Sequence, residues 1–131
     1  MTRQRISSGT KWEQIAGYSR AIRAGNWIAV SGTTASDENS QVVSPGDVYG
    51  QTVYIFHKIE RALKEAGATL DDVIRTRVYL VNIAHWEQAA RAHGEIFGQI
   101  RPANTLLQIT ALVDPAMLVE IEVDALVQDE A

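Results

Sequence analysis

Nine residues near the C-terminal end, Leu118-Val-Glu-Ile-Glu-Val-Asp-Ala-Leu126, alternate so strictly that only a β-strand accommodates them. Val119, Ile121, Val123 and Ala125 fall on one face, and Glu120, Glu122 and Asp124 on the other. A strand patterned this way belongs to a sheet with one apolar face, and that face must be covered by a second layer. Just upstream, Arg101-Pro-Ala-Asn-Thr-Leu-Leu-Gln-Ile-Thr110 reads as another strand, joined to the first by a short Asp114-Pro115 connection.

The remaining elements follow from the same periodicities. Residues 2–7 read as a short strand. Tyr18-Ser-Arg-Ala-Ile-Arg23 alternates, with Tyr18, Arg20 and Ile22 on one face. Gly25-Asn26 predicts a hairpin turn into Trp27-Ile-Ala-Val-Ser31, a β-rich run that stops at Gly32. Residues 34–46, rich in Ser, Asp, Asn, Pro and Gly, form the longest loop. Asp47 is placed to cap a helix running to about Ala66, with Val53, Phe56, Ile59 and Leu63 in one stripe and Gly67 at its end. Val73–Val81 is a strand rich in β-branched residues. Asn82 caps a second helix, with Trp86, Ala89, Ala90, His93 and Phe97 on one face and Gly98 closing it.

The order β-β-β-α-β-α-β-β predicts an α+β architecture, a mostly antiparallel six-stranded sheet with two helices on one face. Apolar residues on both strand faces predict that other subunits bury the second face. At 131 residues, 46% hydrophobic and 21% charged, the chain is expected to form one domain over 1–131.

Charge and composition exclude several classes. A net charge of −4 with scattered basic residues gives no footprint for nucleic acid, although Arg20/Arg23 and Arg75/Arg77 are close pairs. The absence of cysteine removes disulfides, thiolate nucleophiles and zinc–thiolate sites. His57, His85 and His93 lack metal-ligand spacing, so neither a metal nor a cofactor is expected. No apolar run is long enough to cross a membrane, and Met-Thr-Arg-Gln-Arg-Ile-Ser lacks the apolar core of a signal peptide. A cytoplasmic protein is the expectation.

Gly17-Tyr18, Val30-Ser31-Gly32, Ala66-Gly67-Ala68 leading to Asp72-Val73, Arg101-Pro102-Ala103 and Val119-Glu120-Ile121-Glu122 occur in an order and spacing that together resemble the RidA/YjgF family. The resemblance runs from about residue 16 to residue 126, and Trp12-Glu13 and Gly17–Ala21 look like a divergent branch. It implies a chorismate-mutase-like fold, a homotrimer, and clefts between subunits that bind small carboxylates. Family deaminases hydrolyse enamines and imines such as 2-aminoacrylate. The matching residues imply Glu120 as the group positioning the attacking water, with Tyr18, Ser31 and Gly32 lining the site.

The family arginine that grips the substrate carboxylate falls at Asn104. Asparagine cannot reproduce two charge-assisted hydrogen bonds in fixed geometry. Such bonds are worth roughly 1.5–3 kcal/mol each, against roughly 0.5–1.5 for neutral ones, so binding weakens by about two decades. Two replacements offer themselves. Arg20 points the same way as Tyr18 along its strand, and Arg101 is held extended by Pro102. The competing role for Arg20 is a structural ion pair, and for Glu120 the solvated face of an edge strand; Glu122 is expected to pair with Arg75 or Arg77. Two functions remain in view: an enamine/imine hydrolase that is inefficient on 2-aminoacrylate and 2-iminopropanoate, and a non-catalytic small-ligand-binding or sensing protein. A ribonuclease is disfavoured by the acidic charge and by the lack of a histidine acid–base pair.

Overall fold

A computed structural model describes residues 2–129. Six strands, β1 (Arg3–Ile6), β2 (Ala21–Ala24), β3 (Trp27–Thr34), β4 (Val73–Leu80), β5 (Ala103–Gln108) and β6 (Val119–Leu126), form one sheet in the order β1-β2-β3-β6-β4-β5. The helices are α1 (Lys11–Ala16), α2 (Val48–Glu65) and α3 (Trp86–Phe97). The fold is α+β, as the element order predicts.

The alternating β6 is the keystone. Val119, Ile121, Val123 and Ala125 are wholly buried against the helical layer, beside Ile28, Val30, Val78 and Leu80 of the flanking strands. From α2, Ile55, Phe56, Ile59 and Leu63 complete the core, and Phe97 of α3 meets Phe56 edge-on with centroids 5.2 Å apart. Asp47 caps α2 by accepting from the Gly50 amide at 2.9 Å. Past its end, Gly67 takes φ +85°, a left-handed geometry open to glycine at little cost.

Several expectations need correction. β6 is a central strand, paired antiparallel with both β3 and β4, not an edge strand with a solvated face. β5 does not pair with β6; it lies at the sheet edge, parallel to β4. Residues 109–118 cross between them, turned by Asp114, which accepts from the Ala116 amide. The strand expected over Tyr18–Arg23 is only Ala21–Ala24, because α1 ends in a left-handed Gly17 (φ +74°) immediately before Tyr18. Arg20 nevertheless donates its amide to Ile6 and accepts from the Ser31 amide, so it continues the ladder. β3 runs on past Gly32 through a register shift between Val30 and Thr33.

Asn82 caps a short 3-10 turn, Ile83–His85, that feeds α3. Trp86 sits at the first position of α3 and is 49% exposed, outside the buried face formed by Ala89, Ala92 and Phe97. The open face of the sheet is polar at its centre. Arg77 pairs with Asp124 at 3.1 Å, and Tyr79 donates to Glu122. Apolar Trp27 and Leu107 are exposed, the latter on the edge strand.

Candidate active site

Glu120 is the one acid of β6 left without an engagement. Glu122 accepts the Tyr79 hydroxyl, a bond that pushes Tyr79, also partly buried, up to about 12. Asp124 holds Arg77, and among the described residues no hydrogen bond or ion pair joins Glu122 to Arg75 or Arg77. Glu120 has no hydrogen-bond or ion-pair partner among the described residues. Burial, then the adjacent Glu122 charge, raises its pKa above the ordinary carboxylate value, and Arg20 opposes the rise.

A cavity of about 230 Å³ opens on Glu120 at the far end of β3. Tyr18, Arg20 and Gly32 line it with Glu120, as do Trp12 and Ile15 of α1, Lys58 of α2, and Val113 and Met117 of the 109–118 crossing. Gly32 is there for space. A Cβ at that position falls 2.5 Å from Glu120 Oε1, so any side chain displaces the carboxylate.

Arg20 is 6% exposed and heavily committed. Nη1 donates to the Gly32 carbonyl and to Thr33 Oγ1, both at 2.8 Å, bracing the β3 irregularity. Nη2 reaches the Tyr18 hydroxyl at 3.4 Å, and Nε lies 3.7 Å from Glu13 without a hydrogen bond. Burial alone would raise Glu13, but hydrogen bonds from Ser8, Thr10 and Ser7 outweigh it and hold the carboxyl below its ordinary value. The structural role expected as the competitor for Arg20 is thus present, alongside its place in the cavity wall.

Of the other candidates, Ser31 stands next to the cavity without lining it; its hydroxyl donates to the Ser19 carbonyl at 2.7 Å. Arg101 and Asn104 lie elsewhere. Arg101 is not held extended by Pro102: it takes φ +55°, its amide donating to the Phe97 carbonyl to finish α3. It lines a separate cavity with His93, Gly94 and Phe97. Asn104 borders a third small cavity between α3 and β5. Its Nδ2 donates to Thr76 Oγ1 at 2.8 Å, and that buried hydroxyl is 2.8 Å from His93 Nε2. Among the described residues, no group of three or more His, Asp or Glu is placed to hold a metal.

With Asn104 donating to Thr76, the threonine hydroxyl is free to donate onward to a neutral His93. Burial lowers the pKa of His93 from 6.5, so the folded chain disfavours the imidazolium. The stability this contributes is fully present above about pH 6.5, the unfolded value, and is lost as the pH falls toward the folded pKa. Melting temperatures measured from pH 7.5 down to pH 5 are expected to drop less steeply for His93→Gln than for the natural chain. Parallel curves would show that His93 carries no such linkage.

Two cavity residues were not expected there from the sequence, Trp12 and Lys58. Trp12 belongs to a helix too short to announce itself by period. Lys58 was signalled only by its spacing, three residues from Ile55 and one from Ile59, which turns it toward the buried side of α2.

The endoribonuclease L-PSP family profile matches residues 9–127. The chain belongs to the RidA/YjgF family. A RidA/YjgF relative from Acinetobacter baylyi, 3-aminoacrylate deaminase RutC, is 36% identical over 82% of this chain and 84% of its own. A protein of Streptomyces coelicolor is 38% identical over 93% of this chain and 90% of its own. A crystal structure from Mycobacterium tuberculosis, of a member of the YjgF/YER057c/UK114 family, superimposes with a TM-score of 0.88 at 44% identity, covering 96% of this chain and all of that one. No helix among the described residues is long and apolar enough to cross a membrane.

Proposed function

We propose that this RidA/YjgF chain assembles as a homotrimer, binds small metabolites in clefts between subunits, and hydrolyses an enamine, imine or related C–N compound. The observation that carries this reading is Glu120: a carboxylate with a raised pKa, without a partner among the described residues, facing a cavity beside Tyr18 and Gly32. A base of that kind takes a proton from water as its oxygen bonds to the imine carbon. That proton passes to the nitrogen, giving a hydroxy-amine adduct; the adduct's hydroxyl proton then moves by way of the same carboxylate to the nitrogen as the C=O bond forms and the C–N bond breaks, so ammonia leaves a carbonyl product. Likeness to a 3-aminoacrylate deaminase supports the same reaction class.

Asn104 narrows the substrate. It stands where the family resemblance places the carboxylate-gripping arginine, and it lies outside the Glu120 cavity of its own chain. A neighbouring subunit is the source from which it reaches a shared cleft. Turnover of 2-aminoacrylate and 2-iminopropanoate is therefore slow. Ammonia release from these compounds, freshly generated, is expected to exceed buffer modestly for the natural chain and at least tenfold more for Asn104→Arg. No acceleration by either protein removes the deaminase reading. One observation favours the second reading, a binding or sensing protein: Asn104 is already spent on Thr76. A saturable thermal shift with a small metabolite and no turnover supports that alternative.

A further inference from the structure

Lys58 reaches from α2 across the end of β3, where its ammonium donates to the carbonyls of Thr34 and Ser36 at 2.9 and 2.8 Å. That leaves one N–H. No carboxylate lies within ion-pair distance of it among the described residues, whose ion pairs are Arg20–Glu13, Lys64–Glu60 and Arg77–Asp124. Half-buried cations are ordinarily paired, since desolvation without compensation is costly. Arg20 stands beside it, close enough that their charges repel, and its Nε has no hydrogen-bond acceptor. Both side chains line the cavity that contains Glu120.

We infer that Lys58, with Arg20, forms an anion-binding end of the Glu120 cavity that takes the carboxylate of a small organic acid from the same subunit that supplies Glu120. This rests on the reading of that cavity as the working site. It gives the carboxylate an anchor that does not depend on residue 104. A lysine is a point charge without the two-pronged fit of a guanidinium, which agrees with loose selection among small acids rather than tight gripping of one.

The groups facing Lys58 set its protonation. Burial and the Arg20 charge lower its pKa to about 8, Arg61 adds to the lowering, and Glu13 and Asp37 resist it. Anion binding therefore weakens as the pH rises through about 8, where the ammonium is lost.

Propionate and its neutral isostere propionamide serve as probes, with binding followed by backbone amide shifts between pH 6.5 and 9.5. Propionate is expected to saturate, to shift residues around Tyr18, Gly32 and Lys58, and to bind about tenfold more tightly than propionamide. Lys58→Met should lower propionate affinity about tenfold and leave propionamide unchanged. Lys58→Arg should keep the affinity and abolish its decline above pH 8. Equal affinity for the two probes, an unaltered Lys58→Met, or shifts confined to His93 and Arg101 would overturn the inference. Should Lys58→Met not fold, the Lys58→Arg pH series decides alone: a persisting decline overturns it. The outcome separates from the hydrolase reading. Ammonia release that is intact in Lys58→Met with unchanged propionate affinity sinks the inference alone. Lys58-dependent propionate binding without ammonia release sinks only the hydrolase.

Discussion

On a substrate that the natural chain turns over well above the buffer rate, Glu120→Gln lowers ammonia release by about 10² to 10⁴ at neutral pH, down to no less than that rate, while the fold and its melting temperature persist. That range is what a positioned general base contributes. Glutamine keeps the shape and a carbonyl acceptor but cannot take a proton from water. Nothing in the chain loses a partner, because the Glu120 carboxylate makes no hydrogen bond or ion pair among the described residues. The same substitution at Glu122 separates the two roles. Glu122 accepts the Tyr79 hydroxyl, so Glu122→Gln is expected to weaken that bond and change activity far less. Comparable losses at both positions would mean that the acidic face acts only as a field and that Glu120 has no distinct role.

The second large effect is on stability. Gln51 is wholly buried in α2, and its amide stitches the 109–118 crossing to the helix. Oε1 accepts from the Leu118 amide, and Nε2 donates to the Ala116 carbonyl, each at 2.9 Å. Nε2 also reaches the Ser44 carbonyl at 3.3 Å. Gln51→Leu fills the space but strands these backbone groups, each at a cost of about 1–3 kcal/mol where water cannot replace the bond. A loss of about 2–4 kcal/mol follows, lowering the melting temperature by on the order of 10 °C. Because Leu118 immediately precedes β6 and Met117 lines the cavity, Gln51 also ties the start of the strand that carries Glu120 to α2. Residual activity should therefore fall more than stability at 25 °C requires. An unshifted melting curve would show that water enters to serve those groups.

What could be read from the chain beforehand divides along physical lines. β6 was legible because alternation over eight residues with no glycine or proline admits one period. The α2 boundaries were legible because Asp47 and Gly67 are chemically suited to their ends. The full buried arc of α2 was not: Ile55, Thr52 and Gln51 are as buried as Phe56, because the sheet and α3 cover the helix from two sides. The position of β6 in the sheet was also hidden, since strand order depends on long-range pairing that local periodicity does not encode. The same limit applied to Arg101, where the pre-proline preference for extended backbone yielded to the needs of a helix terminus. Trp86 illustrates the converse, a large apolar residue on a predicted buried face that the 3-10 turn before it rotates outward.

The candidate site was partly legible. Tyr18, Arg20, Gly32 and Glu120, named from their sequence context, do border one cavity. Asn104 and Arg101 do not join them within a chain, and Lys58 does, unannounced. Its inward course depends on the carbonyls of Thr34 and Ser36, long-range partners that helix periodicity does not encode.

The central claim is that a Glu120 carboxylate of raised pKa acts as the base for C–N hydrolysis. Its most direct test is the pH dependence of kcat/KM for ammonia release, which reports ionisations of the free protein. An acidic limb centred above the ordinary carboxylate value is expected, because burial and Glu122 disfavour the charged form. Activity rises with pH through that limb, and the limb disappears from whatever residual rate Glu120→Gln retains. A limb that survives the Glu120→Gln substitution unchanged would contradict the account, since some other group would then be the base.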